Sequence, residues 1–387
     1  MHSKREINLN QLTTFIILFL LGGSTLSATT RYSGQNVWII LIFSGIGGFL
    51  LFSLYHRISI IHSHKGLPKI LTNTFGKVLG KILLLSYAVF FFFRTISIGN
   101  FMVSMATETI MFGVFDIRVT ILLLVITCVC CIAYGLNAIG RTSEIFLFLL
   151  GVCLIPFLLA FHTSPSFDWN RLIPSVMIGD IPSLGIDVIR TTFFPFGELV
   201  AFLIIFPYVV QRKHGNSVLK RGIIGILISV VLMIIIDLTI IALLGPTLTK
   251  NFEYSFFNAM QLVRIPGFIE RLDPIAILIM IISEYFKLVL YLYISVLAFE
   301  GLHKKFNFKI ILGLLSIGAF FLAPILQIHS TDFILDVMPF RILPIFELAI
   351  PILIWLVSEI KFRKFLKLRK SGQKRRVNRL SKNPGPS

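Results

Sequence analysis

The sequence predicts an all-α, polytopic membrane protein with ten transmembrane helices. Composition comes first: 56% of the 387 residues are hydrophobic and only 14% are charged, whereas a soluble domain carries about 25% charged residues. The mean hydropathy, +0.89, agrees. Second, apolar runs of about 20 residues recur along the chain, each long enough to cross a hydrocarbon core about 30 Å thick. Third, backbone groups in lipid must find partners within their own segment, which helices provide.

The runs are, in order, 9–28, 37–58, 82–106, 117–136, 143–162, 186–210, 223–244, 274–299, 308–328 and 340–360. The first holds Gly22-Gly23-Ser24-Thr25 within "LNQLTTFIILFLLGGSTLSATT". Lys4, Arg5 and "STLSA" around it imitate a secretory signal, but an uncleaved first span is expected. The third contains Arg94, which shares one helical face with Ser97, Phe101, Ser104 and Glu108, with Asn100 beside it. Such a stripe must face the bundle interior or water. The fourth carries Cys128, Cys130 and Cys131 and the fifth Cys153, without zinc spacing, so these are packing or lipid-facing thiols and no metal is expected. The sixth reads "RTTFFPFGELVAFLIIFPYVV", with Pro195, Gly197 and Glu198 inside it. The seventh holds an isolated Asp237, and the tenth holds Glu347, expected to pair with a neighbour.

The eighth run places Glu284, Lys287 and Tyr291 on one face at i, i+3 and i+7. An ionisable group at this depth costs about 2.5–3.5 kcal/mol on insertion scales and is a functional candidate by default. Two readings of Lys287 stand open: a static pair with Glu284, or a group that carries a proton or replaces a coupling cation. Glu198 is equally open, as a cap on freed N–H groups or as a contact to ligand or proton.

Two outer connections are long. Residues 162–185 are rich in Pro and turn residues, and loops of that length usually have work of their own, such as a lid. In the second, 245–273, Phe252, Phe256, Met260 and Val263 recur at helical spacing and predict a short helix over the outer face. His62 and His64 lie on an inner loop and are expected to be solvated.

The net charge of +18 follows topology rather than nucleic acid. Arg57, Lys65, Lys69, Lys77, Lys81, Arg212 and Lys213 all fall on loops that a cytoplasmic start places inside, as does the basic tail 361–387. Basic loops prefer the cytoplasm, so both termini are expected there. The tail either lies on anionic lipid, at about 1 kcal/mol per basic residue, or acts as a stop signal and anchor. Residues 1–360 form the membrane domain.

Gly22-Gly23 and Pro195-Gly197 interrupt spans one and six. Span six follows span one by five crossings, an odd number, so the halves, about 7–162 and 186–360, run in opposite directions through the membrane. Interrupted helices at matching positions of inverted repeats point to a transporter-type binding site. Freed main-chain dipoles there suit a polar solute. Close helix packing is the competing reading of Gly22-Gly23, and a simple kink that of Pro195. Walker, HExxH and GxSxG motifs are lacking, so no enzyme is expected.

"INLNQLTTFIILFLLGGSTL", "SGQNVWI", "FFPFGELVAFLIIFP" and "YFKLVLYLY", in this order, resemble the endospore germination permeases over about residues 7–365. These are the B subunits of spore nutrient-germinant receptors, within the amino acid–polyamine–organocation transporter superfamily. The resemblance implies a LeuT-like five-plus-five inverted repeat with helices 1 and 6 broken. It also implies a spore inner-membrane location, partner A and C subunits, and a nutrient ligand, often an amino acid, without a cofactor. Carried onto this chain, the ligand site would comprise Gly22, Gly23, Ser24, Phe196, Gly197 and Glu198, with Asn100 and Ser283. Lys287, with Glu284, would stand near the coupling-cation position.

Overall fold

The computed structural model describes residues 5–24, 33–109, 116–173, 181–210, 217–263, 273–303, 305–326 and 337–361. Among these the chain is helical, and the only β pairing is an isolated parallel bridge between Ile7 and Val209. Through it Ile7 N–H donates to Tyr208 O and Val210 N–H donates to Ile7 O, both at 2.9 Å.

The helices are α1 (Leu9–Ser24), α2 (Val37–Ile61), α3 (Leu67–Phe75), α4 (Lys77–Thr109), α5 (Ile117–Ala133) and α6 (Leu136–Ala160). After them come α7 (Ile181–Thr191), α8 (Phe202–Ile205), α9 (Ser217–Asn251), α10 (Ser255–Leu262), α11 (Asp273–Glu300) and α12 (Phe308–Ile325). The last, α13, is Met338–Lys361. Eight described helical segments are long and apolar enough to span a membrane, and two shorter apolar helices, Leu9–Gly22 and Ile117–Ala133, join them. Eight of the expected runs fall on the spanning segments, and the described parts of the first and fourth fall on the two shorter helices. The proposed tail lies outside the described residues, apart from Lys361.

Several helices outrun their apolar cores. α4 starts at Lys77 rather than 82, and α6 at Leu136 rather than 143. Hydropathy marks the stretch in hydrocarbon, whereas helical hydrogen bonding continues into the polar margin. α3 is short and amphipathic, with Pro68 in its first turn and Leu67, Ile70 and Leu71 buried. The helix expected over the outer face is α10, with Phe256 and Met260 fully buried.

At the centre α11 packs along α4 and crosses α1, while α9 packs on both α1 and α2. Large aliphatic and aromatic side chains on α2, α5, α6 and α12, such as Phe43, Leu123, Phe148 and Leu314, are exposed. Apolar surface on that scale requires a non-aqueous surrounding, and the protein is an integral membrane protein.

α9 contains an interruption. Its regular helix stops at Leu244, Gly245 adopts φ +79° and Pro246 follows. Only glycine takes this conformation without strain. The long connection before span six closes the helix end: Arg171 Nη1 donates to Ala242 O at 3.2 Å and to Leu243 O at 2.8 Å. The Asp168 N–H also reaches Ala242 O at 3.1 Å. A cation on the last carbonyls of a helix satisfies both their hydrogen bonding and the dipole.

At one end of the bundle α13 is tied to the α2–α3 turn. Lys361 Nζ donates to Thr74 O at 2.7 Å, and His62 Nε2 lies 2.8 Å from the Ser358 hydroxyl. His62 is thus not the solvated side chain expected: it is half-buried under α13. Burial, with Lys65 and Lys361 nearby, lowers its pKa from 6.5.

Candidate functional site

Span six is broken where the sequence predicts. α7 ends at Thr191, a π turn covers Thr192–Phe196, and Phe194 inside it is extended at φ −125°, ψ 107°. The residue before a proline is pushed out of helical geometry, and proline lacks the N–H that would continue the ladder. A 3₁₀ turn, Gly197–Ala201, then restarts the helix into α8. Neighbours take up the carbonyls around the break. Ser44 Oγ donates to Val188 O at 3.1 Å. The Tyr55 hydroxyl reaches Gly197 O at 3.1 Å and Glu347 O at 2.5 Å.

The restarted turn aims Glu198 into the bundle, where it is fully buried. Its Oε1 accepts from Arg94 Nη2 of α4, and its Oε2 lies 2.5 Å from Lys287 Nζ of α11. Arg94 and Lys287 are each only 1% exposed. Aromatic rings close around the cations. Lys287 Nζ lies 5.0 Å from the Phe194 ring centroid and 5.3 Å from that of Phe19 on α1. Arg94 Cζ lies 5.3 Å from the Phe194 centroid and 5.9 Å from that of Tyr291. Cation–π contact strengthens when both groups are dry. Two cations thus converge on one carboxylate, with Glu284 and Glu347 within electrostatic range.

This geometry bears on four of the sequence readings. Lys287 pairs with Glu198 rather than with Glu284, its neighbour one turn earlier. Glu198 makes ion pairs instead of capping its own helix. The ring against the cluster belongs to Phe194, while Phe196 packs on Gly48 of α2. Glu347 was expected to pair, yet neither of its carboxylate oxygens has a hydrogen-bond partner among the described residues.

The other predicted residues fall as follows. Gly22 lies where α1 crosses α11: a methyl group there would sit 2.8 Å from Ser283 O and 3.3 Å from Lys287 Cβ. Its absent side chain is what lets the two helices meet beside the cluster. Gly23 and Ser24 continue α1, and residues 25–32 lie outside the described set. Ser283 is buried and donates to Ile279 O of its own helix. Asn100 Nδ2 donates to Leu326 O at 3.1 Å, tying α4 to the end of α12. Glu284 is buried near the cluster. Arg94 was singled out only as part of a polar stripe, and its role as counter-ion depends on a facing that periodicity does not reveal.

Comparison with known proteins agrees with this architecture. A nucleobase–cation–symport-1 family transporter, in a closed conformation with bromovinylhydantoin bound, superposes with a TM-score of 0.65 at 12% identity, covering 87% of this chain and 76% of that one. A Na⁺-coupled sialic acid symporter in a substrate-bound outward-open state gives a TM-score of 0.66 at 11% identity, covering 94% and 91%. These likenesses establish the LeuT-like transporter fold. In sequence the chain is similar to spore germination protein KB of Bacillus subtilis (strain 168), 25% identical over 363 residues, 92% of this chain and 95% of that protein. The family model described as "Spore germination protein" matches residues 6–332. A helix broken around a buried charge cluster, in a transporter fold shared with these relatives, leads to one assignment: the chain belongs to the spore germination protein family of permeases.

Proposed function

We propose that this chain is the nutrient-sensing subunit of a spore germination receptor. It binds a small nutrient, an amino acid in the first instance, where α1 meets the break in span six. Binding favours one arrangement of the two repeats, 7–162 and 186–360, and partner A and C subunits read that arrangement. A ligand shifts such an equilibrium only through its differential affinity for the two states. The chain works in the spore inner membrane, with both termini in the cytoplasm, and it is not an enzyme.

The observation that carries this reading is the Arg94–Glu198–Lys287 cluster at the interruption, ringed by Phe19, Phe194 and Tyr291. It offers charge for a zwitterion and aromatic walls for its side chain. The binding residues are Gly22, Gly23, Ser24, Asn100, Phe196, Gly197, Glu198 and Ser283, now with Arg94 and Phe194. Lys287 and Glu284 set the local charge. Spores carrying Gly197→Leu are expected to lose the nutrient response while retaining the protein in the membrane. A normal response from that variant would remove the site from span six.

Proton-coupled amino acid transport is the second reading. An open cleft of about 790 Å³ beside the foot of α1, lined in part by Glu6, Asn8, Gln11 and Arg141, favours it as a place where a polar solute could gather at that end of the bundle. Labelled amino acid accumulating in proteoliposomes under a pH gradient would select transport. Binding without accumulation selects sensing. Neither binding nor accumulation would leave a scaffold role.

A further inference from the structure

Glu347 sits on a π turn of α13, Ile345–Ala349, and is fully buried. Its backbone is held from both sides: Tyr55 donates to the Glu347 carbonyl at 2.5 Å and Tyr87 to that of Phe346 at 2.7 Å. Phe90 stacks on Phe346 with centroids 4.4 Å apart. The turn that carries the carboxylate is therefore fixed in place, and the carboxylate rests against the Gly197 backbone. A methyl group at Gly197 would overlap Glu347 Oε2. The charged and titratable groups around it are Glu198 on the 3₁₀ turn, Arg94 and Tyr87 on α4, Lys287 and Tyr291 on α11, and Tyr55 on α2. Both cations already engage Glu198, and no hydrogen-bond donor meets either Glu347 oxygen among the described residues.

We propose that Glu347 binds an exchangeable proton at the break in span six. A buried carboxylate without a donor carries a large desolvation cost, and one O–H bond formed with a proton from water removes the charge. A metal cation would need several oxygen ligands, about six for Mg²⁺ and six to eight for Ca²⁺. The packing against Gly197 leaves no room on that side even for a methyl group. The site accordingly suits the smallest cation. Movement of the break displaces the Gly197 backbone on which the carboxylate rests, so proton binding is linked to the geometry of span six. Lys287 and Glu198 already engage each other in an ion pair, so neither is the group that takes up this proton.

This shares the break with the nutrient reading but is tested without a nutrient. The purified full chain in phosphatidylcholine–phosphatidylglycerol vesicles is titrated with pH, and infrared difference spectra are recorded. The expected result is a protonated-carboxyl C=O stretch that titrates, vanishes in Glu347→Gln and survives in Glu284→Gln. In Glu347→Asp the band should change frequency, which decides the matter if Glu347→Gln does not fold. No titrating band in the wild type, or one that is unmoved in Glu347→Gln or Glu347→Asp or lost in Glu284→Gln, overturns the proposal. Loss of the nutrient reading, judged from Gly197→Leu spores, would leave this band untouched.

Discussion

Among the described residues two helices are interrupted by non-helical backbone, and the interruptions are completed in opposite ways. At Gly245–Pro246 the end of α9 is closed by Arg171, a partly exposed side chain from a neighbouring loop, whose guanidinium bonds the last carbonyls. At Phe194–Pro195 the surrounding groups are Arg94, Glu198 and Lys287, all shut away from solvent. Both breaks use the same proline and glycine vocabulary. Breaker residues locate an interruption, but the groups gathered around it decide whether it is a joint or a site.

The comparison breaks most sharply at Glu198. Glu198→Ala leaves two buried cations unpaired, which costs about 3–5 kcal/mol. The expected outcome is a large fall in the thermal midpoint in detergent and in yield. An unchanged melt would mean that the cluster is wet. Gly197→Ala comes next: the added methyl must displace Glu347, at the roughly 1–3 kcal/mol typical of overpacking. Nutrient response should fall further than stability. Arg171→Met removes the cap at the other break, costing about 1–2 kcal/mol for hydrogen bonds to a partly exposed charge. Its nutrient response should stay intact. Loss of response there, as at span six, would erase the distinction between the two breaks.

Two smaller effects lie away from both. His62 has a lowered folded pKa, so below about 6.5 the unfolded chain takes up a proton that the folded chain resists. Stability is expected to be complete above that value and to decline as pH falls through the folded pKa, with a flatter profile in His62→Asn. Arg57→Ala removes a surface pair with Glu359, in which Arg57 is 48% exposed. Its cost should be about 0.2–1 kcal/mol, and a larger one would show that exposed pairs carry more of this fold than expected.

Much of this contrast was legible in the sequence. Pro195, Gly197 and Glu198 stand out because breakers and a carboxylate are costly in lipid, whereas the run that stops at 244 reads as the end of a span and not as an interruption within a helix. The partners were not legible. Periodicity places Glu284, Lys287 and Tyr291 on one face, but which helix that face meets is a property of packing. The only counter-ion the sequence offers Lys287 is its helical neighbour Glu284, although the partner in the structure lies on span six. Arg171 is invisible for the same reason, since its carbonyl partners are 71 and 72 residues away along the chain. Phe194 and Phe196 differ only by the turn of the break, and a string of letters does not say how far the chain rotates there.

The small bridge between Ile7 and Val209 has a mechanical consequence. Ile7 gives one hydrogen bond and receives another across it, both 2.9 Å long. The lead-in to α1 and the run-out from span six are thereby stitched into one ribbon. Any rocking of either helix tugs on the other, and a protein that grasps one strand of the ribbon holds both levers at once.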